Sequence, residues 1–228
     1  MIRTSTQKHS LTGNIKMRNI FIDGGANIGQ STAKFLAEWP NSDNFEIFMF
    51  EPNSDTSKIK SSIKDNEKIK FFNKALWINN GEVSFYEKTP NSQGNTLSMN
   101  KVARDSSTFK KRTVPCIDLS EWIAKSFTNK DYIILKLDVE GAEYELVDKM
   151  IEDKSFDYVD IFFCEIHGLK CGKTLLQSIE LIDKCEQEGK KVFAWDAETF
   201  DYRNYKDLVY NKKMLEASYK KWKNRGLW

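Results

Sequence analysis

The stretch DYIILKLDVE, residues 131–140, runs without a linker into GAEYELVDKMIED. The first part is a compact apolar run. The second places Ala142, Leu146, Val147, Met150 and Ile151 on one helical face. A strand that feeds straight into an amphipathic helix is half of a crossover unit and needs a parallel strand beside it. The same grammar recurs along the chain. Asn19–Ile22 leads through glycines into QSTAKFLAEW, where Ala33, Phe35, Leu36 and Trp39 share a face and Pro40 closes the run. FEIFMFEPN precedes a polar helix with a thin seam of Ile59 and Ile63, and IKFFNKALW reads as one strand. YVDIFFCEIHG precedes the amphipathic TLLQSIELIDKCEQEGK, which Gly189 stops, and KVFAWD is a last strand. Alternation of this kind predicts an α/β fold, a mostly parallel central sheet with helices on both faces. Ligands on such sheets bind beyond the carboxyl ends of the strands, where Asp23, Glu51, Asp138 and Glu165 all fall.

Two segments depart from the alternation. INNGEVSFYE carries an Asn-Gly pair that predicts a hairpin. Residues 89–113 are polar and without period, the profile of a functional loop or lid. The 228 residues suit one domain, 18–228, after a flexible lead-in of residues 1–17 without the apolar core of a secretory signal. No run is long and apolar enough for a membrane span. Cys116, Cys164, Cys171 and Cys185 form no C-x-x-C pair and read as free thiols, which places the chain in a reducing, cytoplasmic compartment. Two histidines exclude a multi-histidine zinc site. Net charge is only +2, but from Lys206 onward seven Lys/Arg face Asp207 and Glu216. That basic tail is either a solvated helix face or a contact for an acidic partner, such as nucleic acid or an anionic glycan.

The glycine bend in FIDGGANIGQST lets a ligand approach bare backbone at a helix start. Its spacing, Asp23-Gly24-Gly25 and then Gly29, does not fit the G-x-G-x-x-G of dinucleotide sites. An acid at the strand end suits a cationic or hydroxyl-bearing ligand such as S-adenosylmethionine better than a pyrophosphate. Glu51, followed by Pro52, ends the second strand, where a carboxylate can accept both ribose hydroxyls.

Lys136, Asp138 and Glu140 alternate with apolar residues and would share one face, which is costly on a central strand unless the charges pair or work. Glu143 follows on the first helical turn, as a cap or a participant. Glu165 and His167 end the next strand, and a histidine titrates in the range of a general base. Asp138, Glu165 and His167 could alternatively hold Mg2+ or Mn2+. The catalytic candidates are thus Asp138, His167, Lys136 and Glu165.

FIDGGANIGQST, FMFEPN, NKALWINNGEVSFYE and IILKLDVEGAEYELVDKMI, with FFCEIHG after them, together resemble the FkbM-type methyltransferases. The resemblance implies a Rossmann-like class I fold with an antiparallel last strand, and transfer of a methyl group from S-adenosylmethionine to a hydroxyl, of polyketide alcohols or of sugars in glycans and lipooligosaccharides, with a sugar of a glycan or glycoconjugate the leading expectation. It implies that Asp23, Gly25, Asn27 and Gly29 line the methionine half of the cofactor and that Glu51 holds the ribose. Residues 73–76 would approach the adenine, with Gly24, Pro52, Ala75 and Asp138 completing the wall, and the loop 91–98 would close over the site. Other readings stay open. Tyr219, Trp222 and Trp228 among lysines would suit RNA ribose 2′-O-methylation. A non-catalytic docking module is another, and an NAD-dependent oxidoreductase is disfavoured by the glycine spacing.

Overall fold

A computed structural model describes residues 17–63, 66–104, 108–195 and 201–224. Six parallel strands form the main sheet: β1 (Asn19–Gly24), β2 (Phe45–Phe50), β3 (Ile69–Phe72), β7 (Tyr132–Leu137), β8 (Val159–Cys164) and β9 (Val192–Ala194). Their order is β3-β2-β1-β7-β8-β9. The order reverses between β1 and β7, so a crevice opens beyond their carboxyl ends.

Strand alternation sends successive residues to two separate cores. Ile20, Ile22, Leu135 and Leu137 pack with α4 (Leu119–Ser126), α5 (Glu143–Glu152) and α6 (Leu175–Gln187). Phe21 and Ile134 face the other way, toward α1 (Gln30–Glu38) and α2 (Ser57–Ser62). There Phe21 stacks on Phe35 at 4.0 Å, with Tyr202 edge-on to both. Each such ring contributes about 1.5–3 kcal/mol of burial. Asp23 and Lys136 lie on this second face, two residues beyond Phe21 and Ile134, and meet beneath the glycine bend. At the opposite end of the sheet Arg18 clamps Asp131 through Nε–Oδ1 (3.0 Å) and Nη2–Oδ2 (2.7 Å). This hydrogen bonding from Arg18 pulls the Asp131 carboxyl down to about 2.

A second sheet holds β4 (Ala75–Trp77), β5 (Gly81–Glu87) and β6 (Lys110–Asp118) in the order β4-β6-β5. Two expectations change here. IKFFNKALW is not one strand: Asn73 spends its amide on the carbonyls of Glu51 (2.8 Å) and Asn53 (3.0 Å), and the chain bends out of the main sheet. The Asn-Gly stretch joins β4 to β5 without pairing them, because β6 inserts between, with Cys116 opposite both Ala75 and Gly81.

The last strand is also different in detail. β9 runs parallel to β8, and the antiparallel element is reduced to the bridge Phe193–Val209 on its outer edge. A 3-10 segment (Tyr202–Asp207) and α7 (Lys212–Asn224) bracket that bridge and leave it no length to extend. The lead-in before residue 17 and Trp228 lie outside the described residues. Among the described residues no helix is long and apolar enough to cross a membrane, and the four cysteines are free and buried.

Candidate active site

The crevice at the strand-order reversal is a cavity of about 550 Å³. Gly25, Asn27, Glu51, Pro52, Ala75, Asp138 and Glu165 all line it. Of the residues expected around the cofactor, Asp23, Gly24, Gly29, Asn73 and Lys74 are not on its wall.

The bend is held from three sides. Gly25 and Ala26 donate their N–H groups to the Phe50 carbonyl (3.0 and 3.1 Å), and Asp138 N–H donates to the Gly24 carbonyl (3.0 Å). Gly25 has φ 76°, and a Cβ there would lie 1.9 Å from the Asp138 carbonyl oxygen. Its glycine therefore serves the close approach of two loops. Lys136, fully buried, donates to the carbonyls of Gly25 (2.9 Å) and Gly24 (3.3 Å) and lies 3.2 Å from Asp23 and 3.6 Å from Asp138. Burial works against its charge, but the two aspartates outweigh burial and raise its pKa. Asp23 in turn accepts from Ser31 (2.6 Å) and Thr32 (2.7 Å) at the start of α1. Asp23 and Lys136 are thus a keystone under the bend.

Glu51 stands at the end of β2 and is almost wholly buried. It accepts from the Asn27 N–H (2.8 Å) and the Asn53 N–H (3.1 Å). Burial raises its carboxyl to about 7, against the pull of those two N–H groups and of Lys136.

On the other wall, β7 ends at Leu137 and the chain turns through Asp138–Gly141, with Glu140 at φ 54°. Strict alternation stops there, yet the turn brings Glu140 back to the cluster. His167, 3% exposed, presents Nε2 to Glu165 (3.2 Å), Glu140 (3.3 Å) and Asp138 (3.8 Å). Its Nδ1 donates to Glu143 (2.8 Å), which also accepts from the N–H groups of Val139 and Gly141. Glu143 therefore ties down the turn before α5 and orients the ring, and it does not cap the helix. Burial disfavours the imidazolium, but Glu140, Glu143 and Glu165 overcome it and raise the pKa of His167 well above its ordinary value. Asp138 is raised to about 6, chiefly by burial and despite Lys136. Glu165 is lowered: burial opposes ionisation and the charge of His167 overcomes it.

Within the polar segment 89–113, residues 95, 96 and 101 meet this wall, and residues 99–104 form a helix and 110–113 a strand where an aperiodic loop is expected. Thr96 donates its hydroxyl to the Glu140 carbonyl, and Lys101, on α3 (Met99–Arg104), pairs with the Glu140 carboxylate. Asn95 donates to the side chain of Asn53 (2.6 Å). Leu76, Phe85, Leu97, Lys101, Lys170 and Trp222 also line the cavity. Sequence reasoning placed Asn95 and Lys101 only within the segment 89–113 and left Asn53 unremarked beside Glu51; it missed Lys170, because only folding brings that residue to the site.

Asp138, Glu140 and His167 offer ligand atoms within 4.8 Å of one another and could hold a divalent cation. In that set Glu140 takes the place expected of Glu165. For a sulfonium cofactor the fit has independent support. The buried Oδ1 of Asn27 has no hydrogen-bond partner among the described residues, and the cavity gathers Glu51, Asp138, Glu140 and Glu165. An acceptor-rich wall of this kind suits a ligand bearing an ammonium, a sulfonium and hydroxyls.

The family model for the methyltransferase FkbM domain matches residues 23–192. The chain belongs to that family. The FkbM domain match opens at Asp23, covers the cavity wall except Lys221 and Trp222, and ends at the first residue of β9. Basic α7 lies beyond it. A solved structure described as methyltransferase FkbM from Methylobacillus flagellatus KT is similar at 15% identity and a TM-score of 0.37. That similarity covers 64% of this chain and 32% of the other, about a third of its length. No curated protein sequence matches the chain.

Proposed function

We propose that this FkbM-family chain is an S-adenosylmethionine-dependent O-methyltransferase acting on a sugar hydroxyl of a glycan or glycoconjugate. What supports the cofactor is the meeting of Glu51, the Gly25–Asn27 backbone and the orphaned Asn27 oxygen in one cavity at the strand-order reversal. When bound, the sulfonium supplies an electrophilic methyl group for in-line displacement. Glu51 would hold the ribose hydroxyls, and Asn27 and Asp138 the amino-acid end. Lys136 and Asp23 position the bend from below.

An acceptor hydroxyl must lose its proton as it attacks. Asp138 lines the cofactor cavity, lies 3.6 Å from Lys136 and 3.8 Å from His167, and has its carboxyl raised to about 6 by burial, so it is the proton acceptor in this reading. His167 already faces carboxylates at both ring nitrogens and works as their organising cation. The triad Asp138, Glu140 and His167 favours a second reading, in which Mg2+ or Mn2+ binds the acceptor oxygen. A chelator that abolishes methyl transfer, with rescue by Mg2+, would select it.

The decisive experiment is calorimetry with S-adenosylhomocysteine. One molecule should bind per chain, and Glu51→Gln should weaken binding about tenfold or more. Absence of binding to the folded wild-type protein would sink the proposal.

A further inference from the structure

A second cavity, of about 460 Å³, lies between the loop after β8 and helix α7. Glu165, Lys170, Lys221 and Trp222 line both cavities, so the two share a wall. His167, 3% exposed, borders the second cavity, while Asp138 borders the first. The basic tail of the sequence is therefore not a free solvated arm: α7 is docked. Tyr219 donates to the Lys173 carbonyl (2.8 Å) and lies 3.0 Å from the Ser178 hydroxyl. A Cβ on Gly168 would fall 2.3 Å from the Tyr219 hydroxyl. Docked in this way, α7 brings the half-buried Trp222 and the exposed Lys221 to the rim of both cavities, with Lys170 set over the Trp222 ring at 4.3 Å.

The two ends of the joint cavity differ in charge. Carboxylates collect at the end formed by Glu51, Asp138 and Glu140, where Lys101 pairs with Glu140, whereas at the α7 end Lys170 and Lys221 outnumber the shared Glu165. A neutral acceptor would gain nothing from that basic end. An acceptor carrying a negative group beside its reacting hydroxyl would be drawn and oriented by it.

We infer that the second cavity is the acceptor subsite and that the acceptor is an anionic glycoside, its phosphate or carboxylate held by Lys170 and Lys221. The inference rests on the methyltransferase reading for the direction in which the hydroxyl points, and on cavity chemistry alone for the preference for an anion. The anionic group enters and leaves unchanged. Only the hydroxyl exchanges its proton for the methyl group, and the proton passes to the acid cluster.

The test uses the full chain and three probes of one sugar: methyl galactoside, galacturonate and galactose 6-phosphate. Binding of each is measured by calorimetry, with and without S-adenosylhomocysteine. Expected is a preference of about tenfold or more for at least one anionic probe over the neutral one. Lys170→Ala/Lys221→Ala should lose that preference while keeping the melting temperature. The two anionic probes decide between carboxylate and phosphate. Equal affinity for all three probes, binding of none, or a preference that survives in the double variant overturns the inference. So does a short RNA that binds more tightly than any sugar probe and depends on the same lysines. Failure of S-adenosylhomocysteine to bind would instead overturn the methyltransferase reading, since the anion preference can be read without it.

Discussion

At the residue scale, two glycines with similar backbone angles have different reasons to exist. Gly25 and Gly189 have φ 76° and 73°. Around Gly189 nothing lies within 4 Å of an added Cβ, so Gly189→Ala should cost only the left-handed penalty of about 1 kcal/mol. Gly25→Ala would drive a methyl group into the Asp138 carbonyl and should cost about 3 kcal/mol or more, together with the cavity itself. Urea denaturation of the two variants measures the contrast, and equal costs would refute it. Glu51 makes a pH prediction. Its carboxyl is raised from 4.5 to about 7, so its contribution to stability is full below the unfolded value and is lost as pH climbs through about 7. Glu51→Gln cannot titrate. Without ligand, its stability relative to the parent should improve by up to about 3 kcal/mol from acid to mildly alkaline pH. A difference independent of pH would show that Glu51 is not held in a desolvated site.

At the scale of elements, the bend after β1 is stable because β7 lends it a lysine. Lys136→Met leaves Asp23 charged and buried and deprives two bend carbonyls of their donor. The expected cost is about 3–5 kcal/mol. Adding Asp23→Asn should recover part of it, so the pair is not additive, and a double-variant cycle by chemical denaturation measures the coupling. Additive effects would mean that the two charges are not paired. This keystone was half legible. The alternation of Lys136, Asp138 and Glu140 announced charges on one face of a central strand, and their cost demanded a partner. That the partner is Asp23 follows from the parallel register of β1 and β7, which sets Asp23 opposite Lys136.

At the scale of the molecule, the cofactor wall comes from the ends of β1, β2, β7 and β8, the small sheet and the segment 88–101, and α7 adds only Lys221 and Trp222 where the two cavities meet. A chain ended after Asn211 should therefore bind S-adenosylhomocysteine within a few-fold of the full chain and lose turnover with its acceptor. A comparable loss of cofactor affinity would mean that α7 supports the first cavity after all. The sequence alone determined the crossover units, the bend, and the acids at the strand ends, because periodicity and strand termini are local properties that survive in one dimension. Glu51 could be read as a ligand-facing acid from its place after β2, whereas the closure by 91–98 was legible only through the resemblance to the family. Three things were decided only in the tertiary structure: the insertion of β6 between β4 and β5, the return of Glu140 to His167, and the docking of the basic tail as a cavity wall. Each depends on contacts between residues far apart in the chain, whose side chains meet only once the sheet order is set. No local pattern in the sequence encodes that order.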